Sequence, residues 1–190
     1  MRTRNLLLTP LALIATTAAG QQAGVQPLPP FNAIELVGGG EVTLRPGPAQ
    51  RVAVSSTHPE RTKLDVDERG TLRIRACEDN CRGQRLRIDI AVPAPLDAVA
   101  IRGGGMIRAE GGWPAQRQLS AAISQGGTLR LAAMPAAQVN AAVQAGGTME
   151  VAARDRLNAA VSMGGTINYR GDPRVTQAVS MGGAVRRIGG

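Results

Sequence analysis

The residues best suited to chemistry in this 190-residue sequence are two cysteines, one histidine, a small carboxylate cluster and rows of arginines. Cys77 and Cys81 enclose Glu78, Asp79 and Asn80. In an oxidising compartment so close a pair is expected to form a disulfide. The loop it closes is short, and chain entropy then contributes about 2 kcal/mol, which shapes a loop tip but does not hold up a fold. A redox-active pair encloses two residues rather than three. A zinc site would need two further ligands, and His58 is the sole histidine. Ser55, His58 and Asp65 show no spacing of a catalytic triad, and no nucleophile-elbow motif occurs. Asp65, Asp67 and Glu68 precede Gly70 and offer oxygen ligands of the kind calcium takes. Arg69 interrupts them and the cluster occurs once, which fits a solvated turn better. These residues predict no catalytic group, no metal and no cofactor.

The arginines form a more regular pattern. Arg73 and Arg75 alternate with Leu72 and Ile74, and Arg85 and Arg87 alternate with Leu86 and Ile88. Arg108, Arg130, Glu150, Asn168 and Arg186 each follow the second glycine of a Gly-Gly pair by three residues. An exposed face carrying Arg73, Arg75, Arg85, Arg87, Arg108 and Arg130 suits anionic envelope components such as lipid phosphates or acidic glycans. The same pattern also describes a solvated sheet whose charges prevent edge-to-edge association. Nucleic acid is disfavoured, because the only aromatics for stacking are Phe31, Trp113 and Tyr169.

The first twenty residues suggest an address. Arg2 and Arg4, the apolar run from Leu6 to Ala15 and the small residues from Thr17 to Gly20 read as a signal peptide over 1–20. The apolar run is too short to span a bilayer, and no second apolar run of spanning length follows. The mature chain is expected to be exported, periplasmic or surface-associated. Removing Arg2 and Arg4 lowers the formal charge from +8 to +6. Residues 21–30, with Pro27, Pro29 and Pro30, read as an extended lead-in, and 31–190 as one domain.

The elements that must hold these residues are repeated. Glycine pairs stand at Gly39-Gly40, Gly104-Gly105, Gly126-Gly127, Gly146-Gly147, Gly164-Gly165 and Gly182-Gly183. The flanks repeat too: LSAAISQGGTLRL at 119–131, VNAAVQAGGTMEV at 139–151, LNAAVSMGGTINY at 157–169 and VTQAVSMGGAVRR at 175–187. Segments 97–109 and 32–44 fit the same frame. Apolar residues alternate on either side of each glycine pair, the period of a strand with one buried face. Glycine permits the sharp bend between two such strands. Units of 18–22 residues therefore predict an all-β, right-handed parallel β-helix-like solenoid with Gly-Gly corners. Stacked strands rising ~4.8 Å per rung would align the corners and the interior Val, Ile, Leu and Ala columns. Segments 71–76 and 85–92 alternate as well, and are expected to be broader N-terminal rungs or one hairpin.

These residues resemble the exported family called "putative auto-transporter adhesin, head GIN domain". The resemblance rests on the opening Phe31 to Ile34, the turn Gly38 to Gly40, the strand ending Val92-Pro93 and the Gly-Gly-x-Ile rungs, as at Gly164 to Ile167. It covers 31–188. It implies a β-helix-like solenoid behind a signal peptide, with no catalytic residue to carry over. The function expected is a non-enzymatic binding or structural role at the cell envelope, with another protein or an anionic component as partner. The alternatives are a polysaccharide-processing enzyme, which needs paired carboxylates in a groove, and a self-associating scaffold, which needs an uncapped last rung.

Overall fold

The computed structural model describes residues 24–76, 85–93 and 95–189. The signal-like residues 1–20 and the Cys77–Cys81 loop lie outside the described residues. The strands are β1 (Gly24–Gln26), β2 (Ala33–Val37), β3 (Glu41–Pro46), β4 (Arg51–Ser56), β5 (Lys63–Val66), β6 (Thr71–Arg75), β7 (Leu86–Val92) and β8 (Ala98–Arg102). They continue with β9 (Met106–Ala109), β10 (Gln116–Ser124), β11 (Thr128–Arg130), β12 (Ala136–Gln144), β13 (Thr148–Val161), β14 (Thr166–Arg170), β15 (Arg174–Val179) and β16 (Ala184–Arg187). The fold is all-β, with one large and mostly parallel sheet.

Two parallel ladders make up that sheet. One runs β7-β3-β9-β11-β13-β14-β16, and the other runs β6-β2-β8-β10-β12-β13-β15. The 14-residue β13 belongs to both, its first half in one ladder and its second half in the other. Partners lie one repeat apart: Val99 faces Ala121, Ala121 faces Ala141, Ala141 faces Ala159 and Ala159 faces Gln177. The period-2 alternation sends these residues inward. Ile34, Leu36, Ile101, Ile123, Val143 and Leu157 from one ladder meet Val42, Leu44, Ile107, Leu129, Met149 and Ile167 from the other, all essentially inaccessible. Each such side chain contributes roughly 1.5–3 kcal/mol of burial. No single repeat could bury its own face.

The corners stack with the strands. The amides of Met106, Thr128, Thr148, Thr166 and Ala184 donate to the carbonyls of Gly40, Gly105, Gly127, Gly147 and Gly165 at 2.8–3.0 Å. The ladder is thereby continued around the bend, and the backbone groups of the corner are satisfied.

Several expectations need correction. β6 and β7 do not form a hairpin: β6 pairs with β2 and β5, while β7 pairs with β3 and β4. Parallel neighbours already occupy one edge of each, so the two strands serve different ladders. The chain order is also not the stacking order, because β2 and β3 lie between the β6/β7 level and the β8/β9 level. The excursion between them adds the antiparallel strands β4 and β5, which cover the N-terminal end. Within the lead-in, β1 pairs antiparallel with β4, and Gln50 Nε2 donates to the carbonyls of Leu28 and Pro29. Order in the described chain thus begins before Phe31. Trp113, one of few large rings, is buried and donates from Nε1 to the Glu110 carbonyl at 3.0 Å. It lies in the connection between β9 and β10, which is longer than the Gly-Gly corners.

Candidate binding surfaces

The outward positions of the first ladder carry the anticipated arginine column. Asp89, Thr43, Arg108, Arg130, Glu150, Asn168 and Arg186 are consecutive in register. Most of its N-terminal charges are already neutralised. Arg108 reaches Glu41 at 3.2 Å, Glu110 at 3.0 Å and the Thr43 hydroxyl at 3.2 Å. Arg45 bridges Asp89 at 3.1 Å and Glu110 at 2.7 Å, and the Glu110 hydrogen bond raises the affinity of its guanidinium for the proton. Arg87 meets Glu41 at 3.4 Å, and Arg170 meets Glu150 at 2.9 Å. Arg130 and Arg186 form no ion pair among the described residues. The Asp89–Glu110 carboxylate pair, the sort of feature a glycosidase would need, is committed to guanidinium groups on an open face.

Arg73 and Arg75 lie on the other ladder, so the six arginines do not share one face. Arg73 Nε donates to Glu35 at 2.9 Å and its Nη2 lies 3.7 Å from Asp67; Arg75 meets Asp65 at 2.7 Å. Glu35 also takes Arg102, at 2.5 Å, so one largely buried carboxylate ties β2 to both neighbouring strands. Alternation alone did not mark Glu35, since its burial depends on two arginines arriving from remote segments. Arg85 is placed at the start of β7's approach, its backbone N–H donating to the Thr57 hydroxyl.

The Asp65–Glu68 cluster is divided among separate tasks. Asp67 Oδ1 accepts the backbone N–H groups of Arg69 and Thr71, both at 3.0 Å, and so closes the β5–β6 turn. Asp65 faces Arg75, and His58 faces Glu60 at 3.3 Å. Among the described residues no group of three or more His, Cys, Asp or Glu side chains converges on a metal position.

The outward face of the second ladder is paved differently. Ala100, Ala122, Ala142, Ala160 and Ala178 form one column, and Ala98, Ser120, Asn140, Asn158 and Thr176 the next. Asn158 Nδ2 donates to Asn140 Oδ1 at 2.9 Å, a side-chain ladder along the stack. Small side chains leave a shallow, almost wholly apolar recess of about 630 Å³ over five strands.

The predicted glycines have two distinct roles. A Cβ at the second glycine of a pair would strike the level behind: at Gly105 it would lie 2.9 Å from Leu36, at Gly127 2.9 Å from Ile101 and at Gly147 2.9 Å from Ile123. Gly165 and Gly183 abut Val143 and Val161 in the same way. The first glycines, Gly104, Gly126, Gly146, Gly164 and Gly182, have open space around that position, as does Gly39. The last four of these pairs carry a non-glycine left-handed residue before them: Gln125, Ala145, Met163 and Met181, with φ of 48–64°. Gly38 and Gly103 supply that conformation in the two earlier corners.

Fold and faces together define an all-β repeat protein whose prominent features are extended surfaces. The chain belongs to the family described as "putative auto-transporter adhesin, head GIN domain", whose pattern matches residues 30–117 and 115–173. A crystal structure of a "putative adhesin" from Bacteroides fragilis is similar in fold: TM-score 0.55, 15% identity, 90% of this chain and 98% of that one. A "putative adhesin" from Parabacteroides merdae matches at TM-score 0.40 and 12% identity over 90% of this chain and 98% of that one. No curated protein matches the sequence. Among the described residues no helix is long and apolar enough to cross a membrane.

Proposed function

We propose that this chain is an exported, non-enzymatic, adhesin-like binding protein of the cell envelope, coiled as a right-handed β-solenoid. The observation that carries the reading is the registered stack of similar repeats in a head GIN family member. Pairing partners recur at steps of 22, 20 and 18 residues, and every level extends the outward faces. Rigid ladders of this kind present long surfaces to a partner. On the arginine column, an anionic envelope component would meet Arg130 and Arg186, which pair with no carboxylate among the described residues. The same reading takes Cys77 and Cys81, which lie outside the described residues, to be joined as a disulfide after export.

The test is protease shaving of intact cells followed by detection of the mature chain. Digestion from outside supports surface display and partner binding. Protection until the outer membrane is opened overturns the adhesin role in favour of a periplasmic one. An uncleaved chain in the cytoplasm overturns export itself.

A further inference from the structure

The two ends of the stack are finished differently. At the N-terminal end β4 and β5 run antiparallel to β7 and β6, and Leu28, Phe31, Leu64 and Val66 pack partly buried against the core. At the C-terminal end, among the described residues, β15 pairs only with β13 and β16 only with β14. Val175 and Val179 stand in register with Leu157 and Val161, which are 0% and 3% exposed, yet they are 38% and 44% exposed themselves. They occupy inward positions that no further level covers among the described residues. The buried alanine column ends there in Gln177. Met181, in the adjoining corner, is 73% exposed.

We propose that this C-terminal edge binds an extended segment of a partner protein that alternates apolar with acidic residues, added as a further strand on β15. The proposal rests on the partner-binding reading above and gives it a location and a chemistry. An unpaired edge offers backbone donors and acceptors to an added strand, and alternate side chains then set specificity. Inward positions of the added strand would cover Val175 and Val179. Outward positions would meet Arg174, which has no ion pair among the described residues, with Arg186 similarly unpaired on the neighbouring β16. Charge selects the occupant. Residues 171–189 carry Arg174, Arg186 and Arg187 against Asp172 alone, a net +2. A second copy seated on this edge would oppose +2 to +2, whereas an acidic strand is complementary.

The test titrates the full mature chain with labelled ten-residue peptides in which valine alternates with glutamate, with lysine or with serine, read by fluorescence anisotropy. The valine–glutamate peptide is expected to bind saturably and more weakly in high salt. Arg174→Glu combined with Arg186→Glu touches exposed side chains only, and is expected to weaken that peptide at least about tenfold while admitting the lysine peptide. Equal binding of all three peptides, or of none, overturns the proposal; binding of none would assign the arginines to blunting the edge. A chain that sediments alone as a dimer, and becomes monomeric on the same charge reversal or on Val179→Lys, gives the edge to a second copy and also overturns it. Cell shaving reads location and peptide titration reads the edge, so either can fail without the other.

Discussion

Gly147 lies so close to Ile123 that a Cβ built on it would stand 2.9 Å from Ile123 Cγ2 and 3.0 Å from the Gly127 carbonyl. The φ of Gly147 is +105°, where other residues are strained. Conformation and space therefore both demand glycine. Gly147→Ala is expected to cost about 2–4 kcal/mol, combining backbone strain with overpacking against a neighbouring level. Gly104 is the control: its φ is outside the left-handed region and nothing lies within 4 Å, so Gly104→Ala is expected to change stability by less than about 0.5 kcal/mol. Chemical denaturation of the two variants checks the contrast, and equal losses would contradict the division of roles between first and second glycines.

Ala145 stores strain in the opposite sense. Its φ of 50° is left-handed although it is not glycine. Relieving this with Ala145→Gly is expected to raise stability by about 0.5–1 kcal/mol, after the extra entropy of a glycine in the unfolded chain is subtracted. The denaturation midpoint should rise with an unchanged slope. A fall in the midpoint would mean that the corner tolerates alanine without strain.

Asp67 gives the β5–β6 turn a pH dependence. The Thr71 N–H, followed by the Arg69 N–H and the charge of Arg73, holds its carboxyl below the ordinary value of 3.8. A lowered folded-state pKa means the contribution is complete above the unfolded value and lost as pH falls through the folded one. The amide shifts of Arg69 and Thr71 should therefore titrate with a midpoint below 3.8, and Asp67→Asn should abolish the transition. A midpoint at or above 3.8 would remove Asp67 from the role of turn clamp.

Trp113 is the single tryptophan and is buried, so its emission reports on the packing beside the β9–β10 connection. Blue-shifted native fluorescence that moves red in step with loss of β-structure is expected. Trp113→Ala should cost about 3–5 kcal/mol, as for other large-ring deletions from a core. Native emission at the wavelength of a solvated indole would place the ring outside the core.

The repeats at 97–109 and 119–187 were legible because each residue's environment there is set one period away. Alternation settles which face is inward, and the glycine pairs settle where the strand bends. The arginine column could be counted out for the same reason. Its neutralisation could not, because Asp89 and Glu110 reach Arg45 from 44 and 65 residues away and Glu41 reaches Arg87 from 46, and such pairs carry no local pattern.

The amino-acid order alone thus determined the all-β class, the period, the corners and the inward faces, since these follow from side-chain alternation and the absence of a Cβ. The position of β2 and β3 between the β6/β7 and β8/β9 levels was decided only in three dimensions, as were the antiparallel cover on one end and the uncovered Val175 and Val179 on the other. Strand neighbours are chosen by which edges remain unpaired once the whole chain is packed, and an edge is a property of the assembled sheet rather than of any one segment.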